Sequence, residues 1–220
     1  MSKIRSGNAL IIFVRYPETG KVKTRLAEET DIHFACNFYK LCAENTFSEI
    51  SLLANSHKYI FYTDEKDKAK IAEWTKNKFF YVLQEGNDLG ERMYNAFEYV
   101  LKHYDKAIIV GTDIPDLSKE IIDSAEEILE QNDIVIGPSK DGGYYLLGIK
   151  RNYKELFENI LWSSESVFDS TIKKAKILNL RIGRLQSLQD IDNLSALNNW
   201  LNQIGNENLK NKISELIEIK

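Results

Sequence analysis

The sequence has 220 residues, 43% of them hydrophobic and 28% charged, with a formal net charge of −4. That length fits one large domain with a real core. The composition is that of a globular chain and not a disordered one, and the acidic balance excludes the broad positive field of a general nucleic-acid binder. No apolar run approaches the ~20 residues of a membrane span, and no signal-peptide pattern is present. Cys36 and Cys42 are the only cysteines and face different directions on one expected helix, so a reducing, cytoplasmic setting is expected.

Residues 9–14 are continuously apolar and read as a strand buried on both faces, the pattern of a parallel sheet. A polar, turn-rich loop follows over 15–25. A helix is expected over 31–53, with Ala35, Phe38, Tyr39, Cys42 and Thr46 on one side. Residues 59–62 form a short strand, 67–77 a helix and 79–83 another strand. A helix over 88–102 opens with Asp88 and has Glu91 three residues on, a variant of the capping box. Residues 107–110 are a second fully apolar strand, and Ser118 caps a helix reaching 130. Strands follow at 134–136 and, after a Gly-Gly turn, at 144–149. Helical stretches at 153–157 and 165–174, a strand at 177–182 and helices at 194–202 and 206–217 complete the chain. Strands alternating with helices predict a single α/β domain over 1–220, with a Rossmann-like, mixed but mostly parallel sheet flanked by helices.

Ligands of open α/β sheets bind outside the carboxyl ends of the strands. After the first strand, Arg15, Lys21, Lys23 and Arg25 place four cations on a loop opened by Pro17 and Gly20. Glycine permits close backbone approach to an oxyanion, and Lys and Arg supply charge and donors, so the loop suits phosphates. It is neither a P-loop nor G-x-G-x-x-G, and a solvated basic loop is the alternative. The strand at 107–110 runs into Gly111, Thr112 and Asp113. A carboxylate at the mouth of a buried strand needs a cation or donors. Mg2+ or Mn2+ takes one or two protein carboxylates and fills its other positions with phosphate oxygens and water. Asp113 is therefore the metal-ligand candidate, whereas Asp116 is better read as a cap. Asp141, Gly142 and Gly143 follow the next strand and suit either an acceptor contact or a hairpin turn. Asp190 or Asp192 completes a metal site with Asp113 or caps the helix after it. Trp162 is expected to line a pocket, and the serines beside it to cap. His33, His57 and His103 share no ligand spacing, and no C-x-x-C or G-x-S-x-G occurs, so zinc and serine hydrolases have no signature.

At these residues the chain resembles a known family. It is similar to the bacterial glycosyltransferase-like proteins called radical-SAM/selenodomain-associated transferases, relatives of the molybdenum-cofactor and 2-phospho-lactate guanylyltransferases. The resemblance is carried by ALIIFVRYPETGKVKTRLA (9–27), QEGNDLGERM (84–93), GTDIPDL (111–117), GPSKDGGYYLLGI (137–149), LWSSESVF (161–168) and, more weakly, LQDIDNLSAL (188–197). It implies a GT-A fold of the nucleotide-diphospho-sugar-transferase type, a nucleotide or nucleotide-sugar donor and a small-molecule acceptor. It places the loop with Lys21, Lys23 and Arg25 on the phosphates, and lines the nucleotide cleft with Gly90 and Arg92. It makes Asp113 the metal-binding acid, with Asp192 as second ligand to Mg2+ or Mn2+. It sets Asp141, Gly142 and Gly143 near the transferred group, with Asp141 as base or orienting group. The chain departs from the pattern in two places: no strict D-x-D is present, since Asp113 and Asp116 stand one residue too far apart, and Gly20 alone represents a glycine-rich first loop. Three functions follow as expectations: a glycosyltransferase, a nucleotidyltransferase releasing pyrophosphate, or a nucleotide-binding module without chemistry.

Overall fold

In the computed structural model, residues 7–54, 56–203 and 205–218 are described. Seven strands form one sheet: β1 (Asn8–Val14), β2 (Ser56–Tyr62), β3 (Phe80–Leu83), β4 (Lys106–Val110), β5 (Ile134–Pro138), β6 (Tyr144–Ile149) and β7 (Ile182–Arg184). Their order is β3-β2-β1-β4-β6-β5-β7. β2 and β4 flank β1 in parallel, β3 is parallel to β2, and β7 to β5, while β6 runs antiparallel to both β4 and β5. The mixed, mostly parallel α/β sheet read from the sequence is what the chain forms.

Eight helices accompany the strands among the described residues: α1 (Thr24–Glu29), α2 (Ile32–Ser51), α3 (Lys68–Trp74), α4 (Leu89–Val100), α5 (Lys119–Gln131), α6 (Val167–Ile177), α7 (Leu194–Leu201) and α8 (Glu207–Glu218). Successive strand residues point to opposite faces, so the buried runs feed two cores. Leu10, Ile12, Val14, Ile108 and Val110 meet α2, α3 and α5 on one face. Ala9, Ile11, Ala107 and Ile109 meet Met93, Ala96, Phe97 and Val100 of α4 on the other. α2 also buries Phe34, Ala35, Phe38 and Cys42 against Leu197 and Trp200 of α7 and Leu209 and Ile213 of α8. No described helix is long and apolar enough to cross a membrane.

Of the two caps read from the sequence, Asp88 makes its hydrogen bond, whereas Ser118 stands at the start of α5 without a side-chain cap bond. Asp31 accepts from the backbone of His33 and Phe34 at the start of α2, and Asp88 from Glu91 at the start of α4. Glu91 reaches back to the Asn87 backbone at 2.8 Å, one residue earlier than a standard capping box would place it. The strand expected at 177–182 is corrected: α6 runs through Ile177, and β7 begins only at Ile182. Asn179 adopts a left-handed φ of 55°, Asn179 N donates to Lys176 O and Leu180 N to Ala175 O. This is a Schellman cap, in which the apolar residue after the left-handed one packs back on the core. Leu178 and Leu180 do so, against the α4 face. Their apolar run is a helix ending, not a strand. The end of the basic loop is also helical, since α1 starts at Thr24.

Candidate functional site

The chain moves outward from β1 to β2 and β3, then returns to β4 on the other side of β1. The carboxyl ends of β1 and β4 therefore flank the point where strand order reverses, the place where open sheets form a ligand crevice. Tyr39 of α2 ties the two ends together. Its hydroxyl donates to Arg15 O at 2.9 Å, accepts from Arg15 N at 3.1 Å and lies 3.1 Å from Thr112 Oγ1. Burial, reinforced by nearby Asp113, pushes this phenol up to about 12. Sequence reading set Tyr39 among the residues on one side of the helix and missed this role, although a buried tyrosine hydroxyl usually finds a partner.

Lys23 lies at the centre of the crevice. Its Nζ sits 2.7 Å from Asp192 Oδ1 and 3.2 Å from Asp113 Oδ1. The lysine side chain is only 3% exposed, whereas Asp113 and Asp192 are 54% and 44% exposed. The ammonium thus lies beneath two carboxylates that open to solvent. Burial alone would lower its pKa, but Asp113 and Asp192 outweigh burial and hold it above the ordinary lysine value. The Lys23 backbone is left-handed, at φ 48° and ψ 46°, which costs a residue with a Cβ roughly 1–2 kcal/mol. An outlier of that kind is a pointer to function.

Two further acids border the crevice. The segment after β7 continues alongside β5, through Lys140 N to Leu188 O at 3.0 Å and Leu188 N to Pro138 O at 3.1 Å. That pairing brings Asp190 beside Asp141. Burial first, then Asp141 and Asp192, push the Asp190 carboxyl up to about 6. Its Oδ1 is buried without a hydrogen-bond partner. Neither Asp190 nor Asp192 caps α7; Asn193 does, accepting from Ala196 N at 2.8 Å. Asp116 accepts from Trp200 Nε1 at 2.8 Å and so anchors α7 to the Asp113 loop.

The remaining candidates are spread around the same rim. Arg15 Nη1 donates to Lys21 O at 3.2 Å, and Lys21 pairs with Glu18 at 2.7 Å on the surface. Gly20 turns the loop with φ 79°, and Arg25 is exposed on α1. Asp141 Oδ1 accepts from Ser139 Oγ and from Gly143 N, within the β5–β6 hairpin. Gly142 has φ 90°, and a Cβ there would stand 2.1 Å from Glu165 O. At Gly90 a Cβ would stand 2.5 Å from the Trp162 ring. Both glycines thus make room for the chain itself, where the 161–166 segment docks. Arg92 Nε donates to Gly86 O at 3.1 Å and fastens the loop before α4. Among the described residues no hydrogen bond or ion pair joins Gly90 or Arg92 to the Lys23 centre.

Asp113 and Asp192 present carboxylate oxygens, the donors a hard divalent ion prefers. Among the described residues no group of three or more His, Cys, Asp or Glu is placed to hold a metal ion. An ion held here needs ligands from elsewhere, as Mg2+ commonly takes them from phosphates.

The sequence matches, over residues 46–164, the family described as "Uncharacterized protein conserved in bacteria (DUF2064)". No curated protein matches it. The fold is similar to that of a candidate nucleotide-diphospho-sugar transferase from Desulfovibrio desulfuricans G20, with a TM-score of 0.89, 30% identity and 97% of each chain covered. At the level of fold alone it is similar to 4-diphosphocytidyl-2C-methyl-D-erythritol synthase from Anaerococcus prevotii DSM 20548, with a TM-score of 0.58, 11% identity and 90% and 97% of the two chains covered. The same holds for the manganese complex of Rv0371c from Mycobacterium tuberculosis H37Rv, with a TM-score of 0.59, 10% identity and 90% and 100% covered. A GT-A-like sheet, a crevice at its switch point and the match over more than half of the sequence lead to one conclusion: the chain belongs to the bacterial DUF2064 family.

Proposed function

We propose that the protein is a metal-dependent transferase that takes a group from a nucleotide-activated donor, with a nucleotide-diphospho-sugar as the first choice. The observation that carries this is the convergence of Asp113 and Asp192 on Lys23 at the β1–β4 crevice. Two carboxylates and an ammonium at a switch point suit a divalent ion together with the anionic phosphates it bridges. The name of the Desulfovibrio relative, a nucleotide-diphospho-sugar transferase, supports the same substrate class.

Asp113 and Asp192 would hold Mg2+ or Mn2+, which would offset charge growing on the leaving phosphate. Lys23, Arg15, Lys21 and Arg25 would donate to the same phosphates, an electrostatic contribution that is largest where water is excluded. Asp141 spends Oδ1 on Ser139 and Gly143, and its Oδ2 has no hydrogen bond among the described residues. That oxygen is placed to orient a hydroxyl of a small-molecule acceptor or to take its proton. Gly142 and Gly143 would form the floor beneath the transferred group, with Gly90 and Arg92 on the nucleotide side.

Nucleotidyl transfer is the second reading, favoured by the number of cations on the first loop. Four basic residues over 15–25 are enough to grip a triphosphate, and pyrophosphate would then leave. Products separate the two readings. Incubation with nucleotide sugars and Mn2+ should release nucleoside diphosphate; incubation with nucleoside triphosphates and an acceptor phosphate should release pyrophosphate in the second case. Neither product, from any base, would leave a nucleotide-binding module without chemistry.

A further inference from the structure

We propose that the Lys23 ammonium occupies the divalent-ion position between Asp113 and Asp192 in the ligand-free protein and yields it when donor phosphates arrive, so that ion and donor bind together. This rests on the reading above, in which those two carboxylates are the metal ligands.

Lys23 Nζ takes Oδ1 of both acids, at 2.7 Å and 3.2 Å, so these oxygens face a cation already in place. Two carboxylates against one ammonium leave the position with a net negative charge. A divalent ion is still attracted, but it must compete with a tethered cation at contact distance. The tether is fixed at its root. Val22 is buried against Cys36 and Tyr39, and Lys23 N-terminally flanks α1 in the left-handed conformation. The rotatable bonds of its four-carbon stem allow the ammonium to shift while the backbone stays. Arg15 and Lys21 lie on its loop and Arg25 on the first turn of α1, so phosphates gripped there offer the displaced ammonium an anionic partner. The exchange leaves every charge paired: the divalent ion replaces the ammonium and neutralises both carboxylates, and the ammonium moves to phosphate. With no third protein acid completing the position, phosphate oxygens also supply the ligands the ion lacks. Both effects make metal and donor affinity reciprocally coupled.

The test is Mn2+ binding, read by electron paramagnetic resonance of the free ion, with and without ADP, CDP, GDP or UDP in turn. Lys23→Met should bind Mn2+ alone at least about tenfold more tightly than the unmodified chain, because a unit positive charge at contact distance is removed. Lys23→Arg, which keeps the charge, should stay near the unmodified value. The tightening of Mn2+ binding by a nucleoside diphosphate should shrink in Lys23→Met. Equal Mn2+ affinity in Lys23→Met and the unmodified chain would overturn the exchange while leaving the metal site standing. No Mn2+ bound by any of the three, with or without diphosphate, would overturn both the exchange and the metal-dependent reading beneath it. Should Lys23→Met not fold, acylation of the unmodified chain followed by mass spectrometry decides. Saturating Mg2+ should raise labelling of the buried Lys23, and unchanged labelling would overturn the exchange.

Discussion

Two ion pairs lie at opposite ends of the sheet. At the amino end, just before β5 and β7, Asp133 and Arg181 form a balanced pair. Arg181 Nε and Nη2 each reach a carboxylate oxygen at 3.1 Å, and Arg181 N adds a third bond at 2.8 Å. At the carboxyl end one buried ammonium faces two half-exposed carboxylates, from a strained backbone. The first arrangement satisfies its charges and joins two strands. The second leaves negative charge unspent at the point where the strand order reverses. A balanced pair is explained by the fold; the unbalanced one is where the proposed metal and donor phosphates would add the missing charge.

The largest expected effect is at the unbalanced end. Asp113→Asn should lower metal-dependent turnover by at least about a hundredfold, since even outer partners of metal ligands cost ~10–100-fold. Its urea midpoint should stay close to that of the unmodified chain, because Asp113 is 54% exposed. Unchanged turnover would remove Asp113 from the metal site.

The glycines of the rim test a different point, that their bareness serves the chain. Gly142→Ala must fit a Cβ 2.1 Å from Glu165 O at a φ of 90°. Backbone strain and overpacking each cost ~1–3 kcal/mol, so urea denaturation should show a loss of about 2–6 kcal/mol. A loss of activity with unchanged stability would return Gly142 to the ligand.

A smaller change is expected at Trp200, the link from α7 to the Asp113 loop. Trp200→Phe strands the Asp116 oxygen that its Nε1 serves at 2.8 Å, a change worth about 1–3 kcal/mol. Thermal denaturation measures it.

The smallest effect belongs to the balanced pair. Hydrogen bonding to the Arg181 side chain holds the Asp133 carboxyl below its ordinary value. A depressed carboxylate stabilises the folded state above its unfolded pKa, ~3.9. That contribution fades as pH falls through the lower folded pKa. Asp133→Asn should therefore lower the melting temperature slightly at pH 7 and converge with the unmodified chain in acid. An equal difference at both pH values would contradict the pairing.

Much of the fold is legible in the sequence because burial on both faces of β1 and β4 leaves uninterrupted apolar runs, and because Asp88 announces its helix. The run at 177–180 misleads because a Schellman cap packs apolar residues as a strand does; the left-handed Asn179 is the clue. At the site, the basic loop and Asp113 are visible from their places after buried strands. That Lys23 alone turns inward is not, since Lys21 and Arg25 share its chemistry and only backbone conformation separates them. The acids at 190 and 192 are ambiguous for a similar reason: an Asp before a helix is usually a cap. Here Asn193 takes that place and releases Asp192 toward Lys23. That the 161–166 segment packs against Gly90 and Gly142 is not legible either, because that segment is distant from both in sequence.

The most direct test of nucleotide use is a thermal-shift series with nucleoside diphosphates, nucleoside triphosphates and nucleotide sugars, each with and without Mn2+. A ligand at a hundred times its Kd adds about 2.7 kcal/mol of stability. One nucleotide class should raise the melting temperature only with Mn2+ present, and Asp113→Asn should abolish the shift. No shift with any class, in the presence of Mn2+, would contradict a nucleotide-using transferase.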